Sequence, residues 1–416
     1  MVLKASVQGL EIVDKARKKK GWTKTVTVAW WQDALTTQAT LRRFWRGIPI
    51  QSESFMNICH AVGISNWQDI VDKITDEEGE SLEISYQEDW GEAPQLSTFY
   101  GRTEELTQLQ EWIVNDRCRL VAFLGMGGIG KTALSVMLAD KIQHNFDYLI
   151  WRSLRYSTSA KDLLTQIVQF LSNRKIEDLP TEFNSAVSLL IEYLKSHRCL
   201  VIFDGAEAII SQGETSEFYK EGYENWGELI KRLGQQRHKS TVIFTSREQF
   251  SEIAFLEEET PQVRSLLVSN LDKAAAFEIF KSKGLLDESH WERLLQIYRG
   301  NPLFLKLISG YIKNSFSGKV SDFLKLETIF IGDIQPILDA SWQRLSILQK
   351  KVMFQLATNP GTLETIKLNQ SVSTSEILES LQALQRRSLI ERQLEGDEVI
   401  YGLQPIVKKY VVKQLN

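Results

Sequence analysis

Cysteine is scarce in this chain: only Cys59, Cys118 and Cys199 occur among 416 residues, an odd, widely spaced set with no CxxC pair. Such a set excludes a disulfide framework and suggests no structural zinc site. Long apolar runs are missing too. No stretch approaches the roughly 20 successive apolar residues of a spanning helix, and MVLKASVQGLEIVDKARKKK has no apolar run before a cleavage site. A cytoplasmic protein with no membrane contact is therefore expected. Self-similarity at a period of about 20 to 50 residues is also lacking, which excludes solenoids and propellers.

What is present, 43% hydrophobic and 25% charged residues, suits a globular chain, and at roughly 150 residues per domain the length predicts about three domains. In FMNICHAVGI, Cys59 shares helical spacing with Phe55 and Val62, which predicts a core position, with His60 on the opposite surface. Cys199 opens an apolar run and is likewise predicted to be buried.

A net charge of −4 conceals an asymmetry. Residues 1–50 carry ten basic side chains against Glu11, Asp14 and Asp33, a net of +7, whereas 76–92 carry only acids: Asp76, Glu77, Glu78, Glu80, Glu83, Glu88, Asp89 and Glu92. The acidic, poorly periodic stretch reads as a solvated linker between a small basic head and a larger body. Beyond it, RLVAFLG, YLIWRSL, CLVIFD, STVIFTSR and VRSLLV alternate with amphipathic helical stretches. Runs apolar throughout predict parallel strands covered on both faces. The boundaries drawn are a head at 1–75, a linker at 76–98, an α/β domain at 99–268, a helical bundle at 269–330 and a last segment at 331–416. In that segment EGD separates two strand-like runs after two helices, which suggests a winged helix.

The stretch FLGMGGIGKTALSVMLA places Gly125, Gly127, Gly128 and Gly130 between an apolar strand and a helix. A buried element has no use for so many glycines. The order Gly125, four residues, Gly130, Lys131, Thr132 matches GxxxxGK[ST], in which bare backbone N–H groups converge on phosphate, the lysine reaches the β and γ phosphates and the hydroxyl helps to hold Mg²⁺. Ile129 lies in the same cradle. Asp204 closes the buried run LVIFD, as a ligand for the metal or as a helix cap. A third run ends in Thr245, Ser246 and Arg247, with the arginine placed to sense a γ-phosphate.

In this order the motifs resemble the NB-ARC class of STAND P-loop NTPases, of bacterial type, over about 99–416. FYGRTEEL is similar to the family's hhGRExE motif, with Arg102 expected near the nucleotide and Glu105 matching the final acid, although Thr103 departs from it. GMGGIGKT, LVIFD and TSR correspond to its Walker A loop, Walker B strand and sensor strand. RGNPLFL resembles its GLPL element and implies Pro302 against the adenine base; Pro302 equally suits the start of a helix. In YGLQPIV, Gln404 stands where relatives have a histidine that holds the β-phosphate of ADP. Gly205 stands where many relatives have a second acid, and the next acid is Glu207, which faces Asp204's way only if the chain turns helical there. The resemblance implies an ADP/ATP switch with Mg²⁺, locked by ADP and assembling into oligomers on exchange, with at most slow ATPase activity through Asp204, Glu207 and Arg247. Relatives usually continue into a repeat-built sensor, so a separate sensor or effector protein, a short member or a fragment are all expected alternatives.

The head, over 24–75, reads as a helix-turn-helix of the phage-repressor type. On a helical wheel of ATLRRFWRG, Leu41, Phe44 and Trp45 fall on one side and Arg42, Arg43 and Arg46 on the other. Arginines so placed suit DNA, which makes a nucleotide-gated transcription regulator the alternative function. Against DNA, LTTQ lacks the usual turn glycine, and an adaptor that recruits a protein partner fits the same residues.

Overall fold

The computed structural model describes residues 2–25, 27–72, 87–156, 158–176, 178–211, 219–326, 329, 332–366, 372–396 and 398–415. Asp76, Glu77, Glu78, Glu80 and Glu83 of the expected linker lie outside them. The chain divides into two units, Met1–Ser85 and Tyr86–Asn416.

In the first unit β1 (Val2–Leu3) pairs antiparallel with β2 (Ile50–Gln51), beside helices Val7–Lys19, Val28–Asp33, Gln38–Trp45 and Ser52–Ala61. Ser6 and Thr37 start two of these helices by accepting from the backbone N–H of Gly9 and Thr40. Trp30, Leu41, Phe44, Phe55, Ile58 and Cys59 form the core, as the spacing of Cys59 and Phe55 predicted. Gly9 is required by packing, since a Cβ there would lie 2.3 Å from the Ile70 carbonyl oxygen. Part of the basic run is structural: Arg17 bonds Asp14, and Arg17 and Lys24 lie over the Trp45 ring.

The second unit is built on six parallel strands: β3 (Gln87–Asp89), β4 (Leu120–Leu124), β5 (Tyr148–Ser153), β6 (Cys199–Asp204), β7 (Thr241–Ser246) and β8 (Val263–Leu267), in the order β3-β5-β6-β7-β4-β8. The five apolar runs are β4 to β8. Alternate residues serve opposite faces: Leu120, Ala122 and Leu124 of β4 pack with helices Ala160–Leu171, Phe183–Ser196, Asn225–Gln235 and Ser251–Glu259, whereas Val121 and Phe123 meet Thr103–Gln110 and Lys131–Ile142. β3 corrects the linker reading. Gln87–Asp89 are not a solvated tether but the edge strand, because Asp89 is bound by Arg152 of β5 at 2.6 Å and the backbone registers with Tyr148–Ile150.

Helices Lys273–Ser282, Trp291–Tyr298, Pro302–Ser315 and Val320–Leu324 follow, then Gln335–Trp342, Ile347–Thr358 and Thr374–Arg386. β9 (Ile390–Glu395) and β10 (Glu398–Leu403) form an antiparallel hairpin before the helix Pro405–Lys413. These segments share one continuous apolar core, from Ala276 and Phe280 through Ile308 to Val352, Leu381 and Val407. Among the described residues no helix is long and apolar enough to cross a membrane.

Candidate functional site

The loop Gly125–Gly130 leaves the carboxyl end of β4 and runs into the helix that begins at Lys131. Parallel strands present this end as the ligand-binding edge, and the helix brings its unpaired N–H groups and positive dipole end there. Gly128 shows why the loop is bare: its φ is +81°, and a Cβ would sit 2.9 Å from the Leu303 Cβ and 3.0 Å from the Asn301 Oδ1. Lys131 is buried, and its Nζ donates to the carbonyls of Gly125 (2.6 Å) and Met126 (3.1 Å). Burial, first of all, pushes its ammonium down to about 8; Glu207 and Asp204 oppose the fall, and Arg247 and Arg155 add to it. A cation so poorly solvated gains from an anion in the loop. Glycine cradle, buried lysine and helix start together fit a polyphosphate.

Asp204 ends β6 with its side chain buried among hydroxyls. Thr132 Oγ1 and Thr245 Oγ1 both donate to its Oδ1, at 2.6 and 2.7 Å. Arg155, two residues past β5, puts Nη2 2.9 Å from Oδ2. Among the described residues no hydrogen bond from the helix start at Ala206–Ile209 reaches the Asp204 side chain; Gly205 stands at the cap position. A hydroxyl and a carboxylate side by side at the loop are the donor set a hard divalent cation takes. Glu207 goes elsewhere: the chain does turn helical, over Ala206–Ile209, but the carboxylate meets Arg247, Oε1 to Nε 3.1 Å.

Arg247 follows β7, and the loop itself approaches it, since a Cβ on Gly127 would lie 3.1 Å from the Arg247 Cζ. Its neighbour Glu248 is buried and takes two arginines from the carboxyl-terminal segment: Arg344 Nε at 2.5 Å and Arg387 Nη2 at 3.2 Å. Arg344 also donates to the Glu207 carbonyl at 2.9 Å. Ser341 and Ile337 come within reach of Arg247 and Gly127.

The other predicted residues separate clearly. Arg102 is buried with φ +69°, pairs with Glu105 at 2.6 Å and donates to the Ile129 carbonyl at 3.0 Å, so it braces the loop from behind. Pro302 starts the helix Pro302–Ser315 and also faces the loop, its Cγ 3.9 Å from where a Cβ on Gly130 would stand. The helix-start reading of Pro302 is thus met in the fold. Gln404 is buried at the start of the last helix, and among the described residues no hydrogen bond joins its side chain to the loop. In the first unit Arg42 and Arg46 are exposed and Arg43 is half-buried, with Nη2 3.4 Å from the Pro49 carbonyl.

Four residues at the site escaped the motif reading. Asn301 caps the helix after it, through the N–H of Leu303 and Phe304, while its Nδ2 reaches the Gly127 carbonyl at 3.1 Å. An Asn before a Pro is a start signal for a helix, and it stood next to Pro302. Arg155 lies just past a strand's carboxyl end, the placement that singled out Arg247. Arg344 and Arg387 carry no local signal, because their partner Glu248 is distant in sequence.

Residues 102–290 match the family model of the NB-ARC domain. Over 456 aligned positions the chain is 36% identical to an uncharacterized WD repeat-containing protein of Nostoc sp., a match that takes in 99% of this chain and 36% of that protein. A putative disease resistance protein of Arabidopsis thaliana is 29% identical over 156 residues, 36% of this chain and 16% of its own. The chain thus spans about a third or less of the length of these relatives. Among solved structures, a Walker-type ATPase of Pyrococcus abyssi is similar in fold, with a TM-score of 0.50 and 18% identity over 76% of this chain and 96% of that one. A STAND protein with a tetratricopeptide repeat sensor from Pyrococcus horikoshii matches 79% of this chain and 44% of its own at 21% identity and a TM-score of 0.40.

Proposed function

We infer the role of this chain from its kinship: residues 102–290 are an NB-ARC domain of the STAND P-loop class, a nucleotide-binding module of signalling ATPases. The function proposed is a cytoplasmic ADP/ATP switch. Lys131 and the backbone of Gly125, Gly127, Gly128, Ile129 and Gly130 would hold the phosphates, and Thr132 with Asp204 would hold Mg²⁺, which screens phosphate charge when bound. Arg102 and Pro302 would frame the nucleoside side, and Gln404 would donate to ADP in the closed form. The observation that carries this reading is the enclosure of the loop. Asn301 and Leu303 press on Gly127 and Gly128 from one segment, while Arg344 and Arg387 hold Glu248, next to the sensor Arg247, from another.

A ligand shifts such an equilibrium only by its difference in affinity for the two states. A γ-phosphate would draw Arg247 away from Glu207 and so disturb the adjoining Glu248 cluster, loosening the carboxyl-terminal segment for self-assembly. With Gly205 in place of a second acid directly after Asp204, hydrolysis would be slow at most. The WD repeats in the name of the Nostoc relative support a repeat-built sensor as partner. The test is the identity and amount of nucleotide released on denaturing the purified protein, beside Lys131→Ala. ADP near one per chain, lost in the variant, is expected; equal nucleotide in both proteins, or none in either with no uptake of added ADP, would overturn the reading.

A helix-turn-helix head that touches DNA is the second reading, favoured by the exposure of Arg42 and Arg46 beside a net charge of +7. Retention on random duplex DNA should then fall with salt and with Arg42→Ala, Arg43→Ala and Arg46→Ala together. Retention that ignores both leaves a protein partner as the role of the head, and Leu35, 86% exposed in the turn before Gln38–Trp45, is the side chain offered to it.

A further inference from the structure

Asp204 and Thr132 are already occupied from within the chain. The Arg155 guanidinium places one nitrogen, Nη2, 2.9 Å from Asp204 Oδ2 and 3.2 Å from Thr132 Oγ1. It thus neutralises the carboxylate and uses an acceptor site on the hydroxyl, the two atoms that a divalent cation at this loop would have to share. The position is built, not incidental. β5 and β6 run in register to Ser153 and Asp204, and Leu154 N–H donates to the Asp204 carbonyl at 2.8 Å, which fixes the root of Arg155 beside the acid.

The path of its side chain depends on Gly205. A Cβ at that residue would lie 2.6 Å from the Arg155 Cγ, and its φ of +76° disfavours any other residue. Gly205 is the one residue type whose missing Cβ lets the arginine cross to the acid by this path. Asp204 is 5% exposed, whereas Arg155 is 60% exposed. Its head therefore reaches the buried acid from the solvent side and can withdraw into water without leaving a buried cation behind.

We propose that Arg155 is a resident cation that competes with the divalent ion for Asp204 and Thr132, so that this loop binds a nucleoside diphosphate without metal and admits Mg²⁺ only when Arg155 leaves. The inference rests on the nucleotide reading of the loop. It makes Arg155 a positioning residue: it governs which cation attends the phosphates.

The test is binding of a fluorescent ADP analogue to the full chain, in EDTA and across a Mg²⁺ titration, for the native protein, Arg155→Ala and Arg155→Lys, with calorimetry of Mg²⁺ addition to the ADP complexes. The native protein is expected to bind the analogue within about 2-fold equally with and without Mg²⁺. Arg155→Ala should bind it at least about 10-fold more weakly in EDTA, recover with Mg²⁺, and half-saturate at about 10-fold lower Mg²⁺, with Arg155→Lys between the two. The same Mg²⁺ dependence in all three proteins overturns the inference and leaves the loop's nucleotide role standing. Loss of analogue binding in Arg155→Ala that Mg²⁺ does not restore also overturns it, since Arg155 would then hold phosphate. Absence of binding by the native protein under every condition overturns the nucleotide reading itself.

Discussion

At the end of β6, Asp204 takes Arg155, whose side chain is largely in water; just past the neighbouring β7, Glu248 takes Arg344 and Arg387, which are almost out of it. Both are acids at strand ends that meet arginine, yet they suit different tasks. The exposed guanidinium regains water when it leaves, and the buried Asp204 keeps the Thr132 and Thr245 hydroxyls, so a second cation can take its place. Three charges packed together out of water hold only while all are present, because each survivor of a lost partner keeps its desolvation penalty. The first arrangement is adjustable, and the second is a clasp between the sheet and the carboxyl-terminal segment.

Breaking the clasp should produce the largest effect. Glu248→Ala leaves Arg344 and Arg387 buried without their counter-charge, with an expected loss of about 3–5 kcal/mol in chemical denaturation and new protease sensitivity within 335–413. A loss under about 1 kcal/mol would show that the cluster is hydrated and would erase the contrast. Asn301→Ala should cost about 1 kcal/mol as a lost helix cap and should speed nucleotide release, because the same side chain steadies Gly127. Stability loss without faster release would assign Asn301 to the helix alone. Arg155→Ala should lower the denaturation midpoint by less than Glu248→Ala does, because one buried acid keeps the hydroxyls of Thr132 and Thr245; a drop as large as that of Glu248→Ala would mean that the pair with Asp204 belongs with the clasp. Smallest of all, native Cys59, Cys118 and Cys199 should resist iodoacetamide at pH 8, since burial pushes their thiols up to about 12, 11 and 12, and should react only on unfolding.

What could be read along the chain follows the same division. β4 to β8 were legible because strands buried on both faces need an apolar residue at every position, as in LVAFL and CLVIFD. The loop was legible because its function lies in consecutive backbone, so glycine, lysine and threonine fall in one short run. Charge partners were not. Glu248 and Arg344 are 96 residues apart, and nothing local in SWQRL or QRRSL marks an arginine that will be buried. Arg155 met Asp204 through strand adjacency, which a linear motif does not encode. β3 was misread for a related reason: in Gln-Glu-Asp the strand is held by backbone pairing and one ion pair, so its side chains are those of a solvated segment.

That short edge strand also bears on how copies of the chain meet. Without it, a five-stranded sheet ending on an apolar β5 would offer unpaired N–H and C=O groups to any other extended chain, the usual route to uncontrolled stacking. Three polar residues, pinned by Arg152 and followed by Gly91, whose bare Cα lies so close to the Trp151 carbonyl that a Cβ would come within 2.7 Å of its oxygen, cover the edge and leave charge facing outward. For a protein proposed to gather with its own kind on a signal, such a blunted edge disfavours strand-to-strand pairing between copies.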